Sequence, residues 1–220
     1  MESHSAKPLH CTMTVDATAE PVAETAQETG QETARESATA THDRALAAEL
    51  AAYATSWPDE AATVAHFTEL LADADDPFRR ERLAGHFTAS CWLVDRGGER
   101  VLLTHHRKLG LWLQLGGHAD GERDLRIAAL KEAEEESGLP GLRLEGGVFD
   151  LDRHWIPEHK GVPPHWHYDV RYVVRAGADE AYTVSDESHD LAWRDIAALA
   201  DADGTDPSVR RMARKWLGRD

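Results

Sequence analysis

Apolar positions in the stretch DRALAAELAAYATSW, residues 43–57, recur at Leu46, Leu50, Tyr53 and Trp57, at spacings of four, three and four. That period puts them on one face of a helix. Asp43 stands where a capping carboxylate would accept the first unpaired amides. Pro58 interrupts the pattern, and DEAATVAHFTELLADA, opened by Asp59, predicts a second helix. From His86 the period shortens to two. HFTASCWLVD and RVLLTHH alternate and are rich in β-formers, with RGGE as the turn between them. LWLQLGG predicts a short strand running into a glycine pair.

ERDLRIAALKEAEEES is the clearest helix of the chain. Leu125, Ala128, Ala129 and Ala133, with Leu130, form its apolar stripe, and Gly138 and Pro140 end it. LRLEGGVFDLD, HWHYDVRYVVRA and DLAWRD predict further strands, and DIAALA and DPSVRRMARKWLG two closing helices. Hairpins and a strand–helix–strand crossover occur together. The predicted class is therefore α/β (α+β), with a mixed sheet.

Residues 1–42 break with this patterning. They hold no aromatic residue and few large aliphatics, and AETAQETGQETARES repeats with a period of four. In a helix that repeat would stack Glu24, Glu28, Glu32 and Glu36, where like charges repel. So polar a segment buries too little to offset its ordering entropy. The expected organisation is a disordered acidic tail over 1–42 and one domain over 43–220, whose residues 43–83 are a helical extension.

The formal net charge is −16, which repels nucleic-acid phosphates. The basic cluster His105, His106, Arg107 and Lys108 is too small for a nucleic-acid surface but large enough to hold one or two phosphates. Cys11 and Cys91 lie far apart in unlike contexts and predict no disulfide framework. The start MESHSAKPLH has no apolar leader pattern, and no apolar run is long enough to span a bilayer. The expectation is a cytoplasmic protein with neither membrane nor nucleic-acid partner. A homodimer is compatible with the helical region, which could pack across an interface.

The chemistry concentrates in GGHADGERDLRIAALKEAEEESGL, residues 116–139. On a helix Glu132, Glu135 and Glu136 share one face, while Glu134 points elsewhere. Solvated acidic faces are common. Yet three clustered carboxylates repel one another unless a hard cation such as Mg²⁺ or Mn²⁺ sits among them. Gly116 and Gly117 end a strand just before the loop into this helix, which lets backbone approach such a cation closely.

This stretch resembles the Nudix box of the Nudix hydrolases, G-x5-E-x7-R-E-U-x-E-E-x-G-U, with U a bulky aliphatic. Gly117, Glu132, Glu135, Glu136, Gly138 and Leu139 match. Three positions depart. Lys131 replaces the arginine and cannot make its bidentate fork. Ala133 replaces the bulky aliphatic, and Arg123 stands where the first glutamate belongs, with Glu122 one position early. The likeness covers roughly residues 84–200.

The resemblance implies an α/β/α sandwich and a metal-dependent hydrolase of a nucleoside diphosphate linked to another moiety, or of a similar phosphoanhydride. Glu132, Glu135 and Glu136, with the Gly116 carbonyl, would hold Mg²⁺ (or Mn²⁺). Glu132 and Glu135 are the catalytic candidates, Glu132 foremost as the base. A catalytically weak ligand-binding module of the same fold is the alternative. A Nudix-fold isomerase would need an acid–base pair, and Cys91, among apolar neighbours, reads as core instead.

Outside the box, HWHYDVRY alternates, so His165, His167 and Asp169 share a face. They could border a substrate cleft or bind a transition metal. The substrate-binding candidates are His106, Arg107, Lys108, His165, His167 and Arg171. The resemblance also implies Asp186 and Glu187, before the last strand, as candidates for an extra acidic ligand.

Overall fold

The computed structural model describes residues 22–106, 110–183 and 190–219. By its contacts the chain divides into two units, Met1–Ala38 and Thr39–Asp220. What is described of the first unit is helical backbone, because α1 runs Val22–Ser56. Helix therefore begins well before Asp43, in a stretch rich in alanine, glutamate and glutamine, all good helix formers.

In the second unit the expected order of elements is present. A 3-10 turn at Pro58–Glu60 separates α1 from α2 (Ala61–Leu71). Then follow β1 (Gly85–Val94), β2 (Arg100–His105), β3 (Trp112–Leu113), β4 (Leu115–His118), α3 (Leu125–Ser137), β5 (Arg143–Ile156), β6 (His165–Arg175), β7 (Leu191–Asp195), α4 (Ile196–Asp201) and α5 (Pro207–Leu217). LWLQLGG, expected as one strand, is split at Gln114: β3 pairs with β2 and β4 with β1.

The described strands form one mixed sheet, ordered β3-β2-β1-β6-β5, with β4 also on β1 and β7 on β2. β1 runs parallel to β6 and antiparallel to its other neighbours. It is buried along its whole length, as a central strand covered on both faces should be. Its alternation sorts the two faces. Phe87 and Ala89 pack with Leu46, Leu50, Tyr53, Phe67, Leu125 and Ala129, so α1, α2 and α3 cover that side. Trp92 and Val94 pack with Ile196, Val209 and Met212 of α4 and α5 on the other. Helices on both faces make the α/β/α sandwich. Gly146 and Gly147 sit within β5, where the register against β6 shifts, so this pair forms a bulge and not a turn.

The second face is not apolar throughout. Towards the start of β1 it carries His86, Thr88 and Ser90. Opposite them on β6 stand His167, Asp169 and Arg171, and beyond these on β5 His154, Asp152 and Asp150. β4 adds Gly116 opposite Ser90 and His118 opposite Thr88. On this face a polar floor thus adjoins the apolar cluster under α4 and α5.

Candidate functional site

The glutamate helix α3 is held at both ends. The Asp124 side chain accepts from the Arg126 amide at 3.1 Å, and Gly138 closes the helix in the left-handed conformation at φ 66°. Ala128, Ala129 and Ala133 are buried. They let the helix lie close on β1 and β4, so its acidic face borders the glycine pair.

That border explains why glycine stands at both positions. The Gly116 amide donates to a Glu136 carboxylate oxygen at 2.9 Å. A Cβ on Gly116 would lie 2.6 Å from the Ser90 Cα. A Cβ on Gly117 would lie 2.6 Å from a Glu132 carboxylate oxygen. Two of the three carboxylates are therefore turned inward onto β4, where the Gly116 backbone also runs. Glu135 is the exposed member, with a Lys131 ammonium 3.5 Å away. The donor set is all oxygen, which suits a hard divalent cation.

The departures from the box acquire physical meaning here. Arg123 reaches Asp43 at 2.6 Å and Asp76 at 3.1 Å, and its guanidinium lies over the Phe78 ring at 4.7 Å. It ties the loop entering α3 to the helical extension. Glu122 caps that loop, accepting from the Asp124 amide at 2.9 Å. Lys131 makes the exposed i,i+4 pair with Glu135.

Of the substrate candidates, His106 lies next to the segment 107–109 and its amide donates to the Leu111 carbonyl at 2.9 Å. Arg107, Lys108, Asp186 and Glu187 lie outside the described residues. Arg171 does not face a cleft. Its side chain is 3% exposed and bonded to Asp169 at 2.7 Å and Asp150 at 3.0 Å. Strand alternation puts it under α5, where Arg211 and Lys215 join it on Asp150 at 2.7 Å each. Burial alone would raise the Asp150 carboxyl. The hydrogen bond from Arg211 and the charges of Arg171 and Lys215 overcome that and hold it below the usual carboxylate range.

Asp169 is equally engaged. It accepts from Ser90 at 2.7 Å, Thr88 at 3.0 Å, Gln114 at 3.2 Å and Arg171. These four donors fill its acceptor sites and separate it from His165 and His167. The two histidines instead meet His86 and His118, with ring centroids 4.9 Å apart for His86 and His167 and 5.0 Å for His118 and His167. Lone histidines at the starts of β1 and after a glycine pair carried no spacing signal that could have grouped them.

The description "NUDIX domain" belongs to a family model that matches residues 85–216. No curated protein matches the chain. Among solved structures, a hydrolase of the NUDIX family from Clostridium perfringens is 24% identical with a TM-score of 0.49, covering 60% of this chain and 96% of its own. The C. elegans Ap4A hydrolase binary complex is 19% identical at a TM-score of 0.47, covering 60% and 95%. The E. coli dihydroneopterin triphosphate pyrophosphohydrolase is 16% identical at 0.45, covering 61% and 96%.

Proposed function

The chain belongs to the NUDIX family, and on that premise we propose that it is a metal-dependent hydrolase of a nucleoside diphosphate linked to another moiety, or of a similar phosphoanhydride. The observation that carries this reading is the seating of the glutamates. A merely solvated acidic face would leave its carboxylates in water, whereas Glu136 accepts the Gly116 amide and Glu132 fills the space a Gly117 side chain would need. Glycine at both positions allows carboxylates and backbone to converge.

The residues that would hold Mg²⁺ or Mn²⁺ are Glu132, Glu135 and Glu136, with the Gly116 carbonyl as a further oxygen donor. Such a cation, when bound, neutralises diphosphate charge and lowers the pKa of a coordinated water. The chain's own part is to place and relieve. Glu132, pressed against Gly117, accepts the proton of the attacking water. Glu135, the exposed carboxylate, faces the incoming substrate and is the second catalytic candidate. Glu136 is oriented by the Gly116 amide, which commits one of its oxygens to backbone. His106 and the adjoining Arg107 and Lys108 supply the positive charge that an acidic chain needs to receive a phosphate.

The test is a screen of the purified protein with Mg²⁺ or Mn²⁺ against nucleoside diphosphate derivatives, reading phosphate after phosphatase coupling. Glu135→Gln and Glu136→Gln are run beside it. Metal-dependent turnover that falls at least about 100-fold in both variants is expected, as for loss of a group acting on the transition state. Turnover that survives both variants sinks the proposal. Absence of turnover with ligands still raising the melting temperature would favour the binding-module reading, for which the replaced arginine and displaced glutamate are the sequence argument.

A further inference from the structure

The polar floor of the sheet ends in a cluster of imidazoles contributed by four strands. His86 of β1 stands opposite His167 of β6, and His167 opposite His154 of β5. His118 ends β4 one step along, and His165 begins β6. One ring nitrogen from each of His86, His118 and His167 lies within 4.8 Å of the other two.

The hydrogen bonds around the cluster decide which nitrogens carry lone pairs. His86 is buried, and its Nδ1 lies 3.2 Å from the Arg82 carbonyl. A carbonyl only accepts, so Nδ1 carries the proton and Nε2 the lone pair. That Nε2 is buried without a hydrogen-bond partner among the described residues. His165 repeats the arrangement: its Nδ1 donates to the Pro163 carbonyl at 2.8 Å, and its Nε2 accepts from the Nε2 of His167 at 3.2 Å, a bond that a bound ion would replace. Backbone carbonyls that fix the tautomer and aim the other nitrogen are the usual support of histidine metal ligands.

Burial leads in keeping the rings of His86, His118 and His167 neutral. It pushes His118 down to about 4, with Arg80 and His86 adding to it. It pushes His167 down to about 2, with His118 and His86 adding to it. Neutral imidazole is the form that binds metal. A buried lone pair without a donor costs on the order of 1–3 kcal/mol, so the His86 Nε2 is unfavourable as it stands until something accepts its electrons.

The cluster differs in chemistry from the glutamate helix. Imidazole nitrogens favour zinc-like ions, and magnesium favours oxygen. Around tetrahedral zinc, with Zn–N bonds of about 2.0–2.1 Å, ligand nitrogens lie about 3.3 Å apart, a spacing that the nitrogens of His86, His118 and His167, all within 4.8 Å of one another, can reach by small turns of the rings.

We propose that His86, His118 and His167 bind a zinc-class divalent ion, with His165 as the available fourth ligand, at a site separate from the glutamates. The ion cross-links β1, β4 and β6. Through His118 it pins the residue after Gly117, and so steadies the entrance to α3. The role is structural, because the ligands are set into the sheet and His86 is 2% exposed. The proposal does not depend on the hydrolase reading.

Calorimetry of the chelator-treated full chain, with Mg²⁺ in large excess, should find one tightly bound Zn²⁺ per chain and a raised melting temperature. Glu135→Gln and Glu136→Gln should leave that binding unchanged. His118→Gln and His167→Gln should each weaken it by at least about 10-fold, as loss of a ligand or its support does. Imidazole nitrogen NMR of the unaltered chain covers the case in which these variants fail to fold. Zn²⁺ should shift the Nε2 resonance of His86 and the ring-nitrogen resonances of His167. Unshifted histidine resonances, no excess of Zn²⁺ over Mg²⁺ binding, or zinc lost with the glutamate variants would each overturn the proposal.

Discussion

Gly117 shows how small a change could separate the site's geometry from the stability of the fold. A methyl group there meets the far end of the flexible Glu132 side chain at 2.6 Å, so the side chain can turn away at little cost. Gly117→Ala should therefore melt close to the unaltered protein. It should lose turnover by on the order of 100-fold, the effect expected when a catalytic group moves by about 1 Å. Steady-state kinetics beside thermal melting checks this, and full activity in Gly117→Ala would detach Glu132 from the chemistry. At this scale the sequence was informative where spacing carries meaning. Glu132, Glu135 and Glu136 fall on one helix face by arithmetic alone. His86 and His118 did not announce themselves, because they are 32 residues apart and meet only through the sheet. Arg171 looked available for the same reason: alternation says which face a residue takes, not what covers that face.

Among the elements, the loop from β4 into α3 carries the chain's clearest departure from its family. Arg123 occupies the position of the first glutamate and binds Asp43 and Asp76. Arg123→Glu would restore the box by letter and place a carboxylate between two aspartates. It should lower stability by about 1–2 kcal/mol, since these charge-assisted bonds are partly exposed, and should bring no gain in turnover. Urea denaturation with kinetics reads both, and a more active or more stable Arg123→Glu would refute the anchoring role. Element type was legible from periodicity for the long segments after Asp43. Boundaries were less so. LRLEGGVFDLD reads as one strand across its glycine pair, and β5 does run through it with a bulge, but it continues to Ile156. The start of α1 was hidden because repulsion among Glu24, Glu28, Glu32 and Glu36 was weighed above the helix propensity of the residues between them.

On the scale of the whole molecule, the buried centre is ionic as well as apolar. Asp150 is fully buried and meets Arg171, Arg211 and Lys215. Lys215 also meets Glu60 at 2.6 Å and the Tyr53 hydroxyl at 2.5 Å. Removing one partner of such a set leaves uncompensated charge. Asp150→Asn should cost about 3–5 kcal/mol. The Asp150 carboxyl is depressed in the folded state. Its contribution is present above the unfolded aspartate value of about 3.9 and is lost as pH falls through the lower folded value. The stability gap between the unaltered protein and Asp150→Asn should thus stay constant at neutral pH and shrink below about pH 4. Melting curves across that range test it, and a gap that persists at the lowest pH would argue against an ionic origin. Composition could not reveal this network: a net charge of −16 says only that carboxylates exceed cations, not that three cations converge on one of them.

The same network bears on the order in which the chain can complete itself during synthesis. Asp150 reaches the interior on β5, while its partners Arg211 and Lys215 follow 61 and 65 residues later. Until the ribosome has released them, the strands can pair but a carboxylate bound for the interior lacks two of its three cations. A nascent chain interrupted before residue 211 would hold an open, charge-bearing sheet, the kind of unfinished surface that proteases and chaperones engage. The last helix thereby acts as a completion signal, closing the domain only after its sequence has been translated through Lys215.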